Sequence, residues 1–90
     1  VNAENGIIKL AKKNGINKII LFGSRARGDN RDRSDIDLAV SGGNITKFAL
    51  DTEEEIDTLL MFDVVNLDEY VQPELITEIE RDGVIIYEKI

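Results

Sequence analysis

Lys18-Ile19-Ile20-Leu21-Phe22-Gly23-Ser24-Arg25-Ala26-Arg27-Gly28-Asp29-Asn30-Arg31-Asp32-Arg33-Ser34-Asp35-Ile36-Asp37-Leu38-Ala39-Val40 is the stretch on which the fold turns. Its first five residues are apolar at the centre and rich in β-branched and aromatic side chains, which predicts a buried strand halted by Gly23-Ser24. Its last six alternate with period two, as a strand does. Ile36, Leu38 and Val40 then share one face, expected to be the core-facing one, while Asp35, Asp37 and Ala39 share the other. Between the two strands lies a polar, basic loop carrying Arg25, Arg27, Arg31 and Arg33.

Outward from this pair, the apolar residues Ile7, Ile8, Leu10 and Ala11 recur at helical spacing between Ala3 and Asn14, with Lys12 and Lys13 suited to the last turn and Gly15 to the stop. Beyond Ser41-Gly42-Gly43, residues Asn44 to Leu60 offer an N-cap and a second helical pattern whose other face is acidic. Phe62-Asp63-Val64-Val65-Asn66-Leu67 predicts a third strand. Pro73 fits the first turn of a helix reaching Asp82, and Val84-Ile85-Ile86-Tyr87 a last strand. With a short helix from Ser24, the order is α-β-(short α)-β-α-β-α-β: an α/β (α+β) chain with a mixed sheet flanked by helices. No repeat, low-complexity tract or linker interrupts it, so residues 1–90 are expected to form one domain.

Composition bounds the chemistry. Ninety residues at 42% hydrophobic content support one modest core and bury only about 60–65% of the unfolded surface, so binding to a partner or ligand would add to a marginal stability. Cysteine and histidine are both absent, which excludes disulfides, thiol nucleophiles, the usual zinc ligands and the commonest general base. Catalysis must rest on carboxylates, hydroxyls, Lys, Arg or Tyr. The formal charge of −7 makes free nucleic acid an unfavourable partner. No apolar run approaches the roughly 20 residues of a membrane span, and the polar start is unlike a signal peptide, so no membrane association and a cytoplasmic location are expected.

The acids stand where like charges should not. Asp35 and Asp37 are neighbours on one strand face and repel, and a third acid, Asp63, lies near the start of a strand among Phe62, Val64, Val65 and Leu67. A hard divalent cation offsets such repulsion, because Mg2+ takes oxygen ligands and is commonly held by carboxylates plus substrate phosphates. Topology agrees: the Gly23-Ser24 turn ends one strand while Asp35 and Asp63 begin the next two. Placing all of these at one sheet end requires an antiparallel first pair, then a parallel second pair whose crossover is the 41–61 segment. Gly23 permits close backbone approach to a ligand. A helix from Ser24 would add amide donors and a hydroxyl for phosphate oxygens, and Arg25 and Arg27 would neutralise phosphate charge. Other phosphate and cation motifs fail on spacing: Asp29-Asn30 stand where a P-loop needs Lys and Ser or Thr, and a calcium loop from Asp29 would put Arg31 and Arg33 at ligand positions.

Gly23-Ser24-Arg25-Ala26-Arg27-Gly28 followed by Ser34-Asp35-Ile36-Asp37-Leu38-Ala39-Val40 resembles the signature of the DNA polymerase beta superfamily, and of its minimal nucleotidyltransferases in particular. The likeness is dense from Ile19 to Val40 and extends through Asp63, about half the chain. It implies a polymerase beta-like nucleotidyltransferase fold and transfer of a nucleoside monophosphate, AMP from ATP, with two Mg2+ ions, or Mn2+, bound at the acids. Asp35 and Asp37 would be shared metal ligands, Asp63 the third acid that helps deprotonate the acceptor hydroxyl, and Gly23 and Ser24 the triphosphate holders. It also implies a HEPN-domain toxin as partner, with this chain as the antitoxin that places AMP on a toxin tyrosine. Two rival readings are an interaction module that silences its partner by covering it, and an enzyme acting on a small molecule or a tRNA end. Relatives of the last kind carry extra domains.

Overall fold

Each expected strand is present, and the pairing follows the predicted directions. In the computed structural model, which describes residues 3–23, 26, 28, 35–56 and 61–89, β1 (Lys18–Phe22) lies antiparallel to β2 (Ile36–Ser41), and β2 lies parallel to β3 (Phe62–Asn66). A last strand, β4 (Val84–Glu88), runs antiparallel along the other side of β1 with a bulge between Ile19 and Ile20. The result is one mixed sheet of order β3-β2-β1-β4. Of the short helix expected from Ser24, Ala26 is described and helical, while residues 24, 25 and 27 lie outside the described residues. The second long helix, expected to reach Leu60, stops at Glu55 because Ile56 is extended, and residues 57–60 lie outside the described residues.

Among the described residues, the longer helices are α1 (Ala3–Lys13), α2 (Ile45–Glu55) and α3 (Pro73–Asp82). Asn44 caps α2 by accepting from the Lys47 amide at 3.1 Å, satisfying a donor that the first turn would leave orphaned. Ile7, Leu10 and Ala11 of α1 and Ile45 and Phe48 of α2 bury against Ile19, Ile36, Leu38 and Val40 of the sheet. That is the core face expected from the alternation in β2.

The opposite face is also covered, as a sheet flanked by helices requires, although the alternation in β2 marked only the Ile36, Leu38 and Val40 face. Ala39, on the face shared with the aspartates, is 0% exposed. It packs with Phe22 and with Ile79 of α3 in a second, smaller core that Ile20, Val65, Leu67 and Leu75 border. Leu75 and Ile79, four apart, present one stripe of α3 to the sheet. Gly83 stops α3 tightly: its amide donates to the Ile79 carbonyl at 2.8 Å, and a Cβ there would overlap that carbonyl and the Ile20 side chain. Among the described residues no helix is long and apolar enough to cross a membrane.

A polar clamp joins the end of α1 to α2. The Asn14 amide group donates to the Leu10 carbonyl at 3.0 Å and to Asp51 at 3.1 Å, Lys47 donates to Asp51 at 2.9 Å, and the Asn44 amide donates to the Asn14 carbonyl at 3.0 Å. Asp51 is 5% exposed, so it departs from the solvated acidic face expected of this helix, which Glu53, Glu54 and Glu55 keep. A charge so placed needs these partners. The Asn14 amide, and after it the Lys47 ammonium, hold the Asp51 carboxyl below the ordinary carboxylate range. Because the folded-state value is depressed, the stabilisation is fully present above about pH 4, the ordinary aspartate value, and is lost as pH falls through the lower folded-state value. Denaturant melts of wild type and Asp51→Asn across acid pH should therefore show a stability gap that is constant near neutrality and closes below about pH 4. A gap that stays constant into strong acid would assign the effect to packing instead.

Candidate active site

The strand register carries the expected acids to one place. Asp37 in β2 is the register partner of Phe22 in β1 and of Asp63 in β3, which puts the Asp37 and Asp63 backbones about 4.8 Å apart across neighbouring strands. Asp35 stands just ahead of β2, two residues from Asp37 and so on the same sheet face. Asp35 and Asp63 are exposed and Asp37 is half-buried. Two residues further along their strands, Ala39 and Val65 already belong to the core beneath α3. The acids thus occupy the open end of the face that α3 covers elsewhere.

Gly23 closes the site on the β1 side. It is buried with φ +80°, a conformation that L side chains rarely adopt. The Asp37 carboxylate lies so close that a Cβ on Gly23 would overlap it. The sequence pointed to a glycine that lets backbone approach a ligand; the structure shows that the first thing approached is the acid itself. Ser24, Arg25 and Arg27, the other expected phosphate-binding residues, lie outside the described residues.

The donor set is all carboxylate oxygen, which fits a hard cation such as Mg2+ or Mn2+, and the backbone placement of the three acids fits a shared ion site. As the side chains stand, no three acidic groups among the described residues are gathered closely enough to grip an ion. The fit therefore rests on register and donor chemistry, with exposed Asp35 and Asp63 able to turn. Like charges on adjacent strands are unfavourable by themselves. Phe22, flush with Asp37 and part of the second core, escaped sequence reasoning as a support of the site. Its signal was available in the antiparallel pairing, since a turn leaving β1 beside the start of β2 sets the last residue of one strand against the first residues of the other.

The polymerase beta nucleotidyltransferase family matches residues 5–90, and this chain belongs to it. Among solved structures it is similar to a chain of a toxin–antitoxin with AMP-PNP, at 28% identity and TM-score 0.77, covering 96% of this chain and 73% of that one. It is also similar to a mutant of the MntA–HpeT toxin–antitoxin in which two aspartates, two positions apart, are replaced by glutamate (26% identity, TM-score 0.76, 99% of this chain and 75% of that one). A third is the MntA–HepT toxin–antitoxin (25% identity, TM-score 0.68, 97% and 71%). No curated protein matches the sequence.

Proposed function

We propose that this nucleotidyltransferase moves AMP from ATP onto a tyrosine hydroxyl of a HEPN-domain toxin in a Mg2+-dependent reaction, and so acts as the toxin's antitoxin. The observation that carries the reading is the register pair of Asp37 and Asp63, with Gly23 packed against Asp37 on the other side. The adenine nucleotide and the toxin are supported by the similar toxin–antitoxin structures. The aspartates replaced in one of them have the spacing of Asp35 and Asp37.

Asp35 and Asp37 would hold Mg2+ together with the triphosphate, while Gly23 leaves room for the Asp37 carboxylate and the Ser24 hydroxyl donates to phosphate oxygens. Arg25 and Arg27 neutralise triphosphate charge. Asp63 faces the acceptor and takes the hydroxyl proton as the acceptor oxygen bonds to the α-phosphorus. The bond from that phosphorus to the bridging oxygen breaks and pyrophosphate leaves. Bound Mg2+ supplies charge neutralisation of the triphosphate and acidification of the acceptor hydroxyl. The chain's net charge of −7 repels free nucleic acid and favours a basic protein as the acceptor's carrier.

Intact-mass spectrometry after incubation with the toxin, ATP and Mg2+ tests this. A nucleotide-sized gain should appear on the toxin and vanish with Asp35→Asn. A gain confined to Tyr70 or Tyr87 of this chain would overturn the toxin as acceptor, and no gain on either protein would favour the occluding module. Calorimetry adds an independent readout: triphosphate binding should need Mg2+ or Mn2+, and Ser24→Ala should weaken it about tenfold, the worth of one hydrogen bond to a charged group.

A further inference from the structure

On the sheet face opposite the acids, α2 and β3 border a groove of about 320 Å³. Ile45, Ala49, Leu50 and Val64 form its apolar floor, and Glu53 and Glu69 stand at its rim. Leu50 is 54% exposed, so the apolar floor continues to the protein surface. Glu53 and Glu69 are exposed, and among the described residues neither carries an ion pair. Lys47, on the same helix, is engaged by Asp51 at 2.9 Å and does not offset them.

We propose that this groove docks a short segment of a partner protein whose apolar side chains are flanked by Lys or Arg. It rests on the reading above that the chain engages a partner protein, and adds where and by what chemistry. Charge selects the occupant. A second copy of this chain brings its own −7 to a carboxylate rim, and nucleic acids and anionic lipid surfaces are repelled in the same way. An apolar segment with cationic flanks satisfies floor and rim together. Because the groove and the acids lie on opposite sheet faces, a segment held here leaves Asp35, Asp37 and Asp63 accessible. One partner can then be anchored at one surface and modified at another.

A synthetic peptide of alternating leucine and lysine is the probe, with a serine–lysine peptide and a leucine–glutamate peptide as controls. Amide shifts in the NMR spectrum of the whole chain should be confined to residues 45–53 and 64–69. Leu50→Ser and the pair Glu53→Lys with Glu69→Lys should each weaken binding about tenfold or more, whereas Glu74→Lys with Glu78→Lys on α3 should change it less than about twofold. All of these positions lie at the surface or its margin, and unchanged thermal midpoints would confirm that the variants fold. Equal binding of the serine–lysine peptide, shifts spread over α3, or an equal effect of the α3 reversal would overturn the groove assignment. The groove variants should keep wild-type Mg2+-dependent triphosphate binding. Absence of that binding in wild type would count against the proposed reaction alone, and mapping of the peptide elsewhere would count against the groove alone.

Discussion

Asp37→Asn is expected to lower nucleotidyl transfer by about 10³-fold or more, and Asp35→Asn to do the same, because in the proposed reaction each acid supplies half of the paired charge that would hold the cation and triphosphate. Stability should not follow. Asp37 sits in register with Asp63 and two residues from Asp35, so each replacement relieves like-charge repulsion on one sheet face while keeping shape and hydrogen-bonding capacity. Melting in excess chelator should therefore show either variant at or above the wild-type midpoint. Single-turnover transfer measured beside those melts separates a reactive role from a structural one. If both variants lost transfer and also melted well below wild type in chelator, the acids would be parts of the fold.

Gly23→Ala should lower transfer by about 10²-fold, the cost of displacing a positioned group by about an ångström. It should also destabilise the protein by about 1 kcal/mol or more, since alanine is strained at φ +80°. The two effects share one cause. A methyl group on Gly23 would overlap the Asp37 carboxylate, so either the carboxylate rotates away from its present position or the chain leaving β1 shifts. Triphosphate titration in Mg2+ should show weakened binding along with slowed transfer. Wild-type activity in a folded Gly23→Ala protein would mean that the tight packing of Gly23 on Asp37 has no part in the chemistry.

The central strands and the placement of the acids on them were legible because local pattern and chemistry agreed there. Ile36, Leu38 and Val40 alternate with Asp35 and Asp37, and the placement of Gly23, Asp35 and Asp63 at one sheet end admits only antiparallel then parallel pairing. The family motif covers the same residues. What escaped was set by contacts distant in sequence. Ala39 is too small to mark a buried face, and its burial depends on Ile79, forty residues later, which only the docking of α3 brings over it. Asp51 read as one more acid on a solvated helix face, because nothing local tells that Asn14 and Lys47 will satisfy it. The position of β4 beside β1 was likewise open, since an amphipathic strand pairs equally well with either edge of the sheet.

The three acids are not equally secure. Asp37 lies on β2, which has a strand on each side, whereas Asp63 lies on β3, which among the described residues is an edge strand hydrogen-bonded to β2 on one side. Edge elements open at lower free energy than the whole molecule unfolds. A transient release of β3 would carry Asp63 away while Asp37 and Gly23 stayed against each other on the β1–β2 pair. Under the proposed roles, the power to deprotonate an acceptor would then fade on warming before the grip on triphosphate, leaving a nucleotide-loaded but idle protein below the temperature of global unfolding.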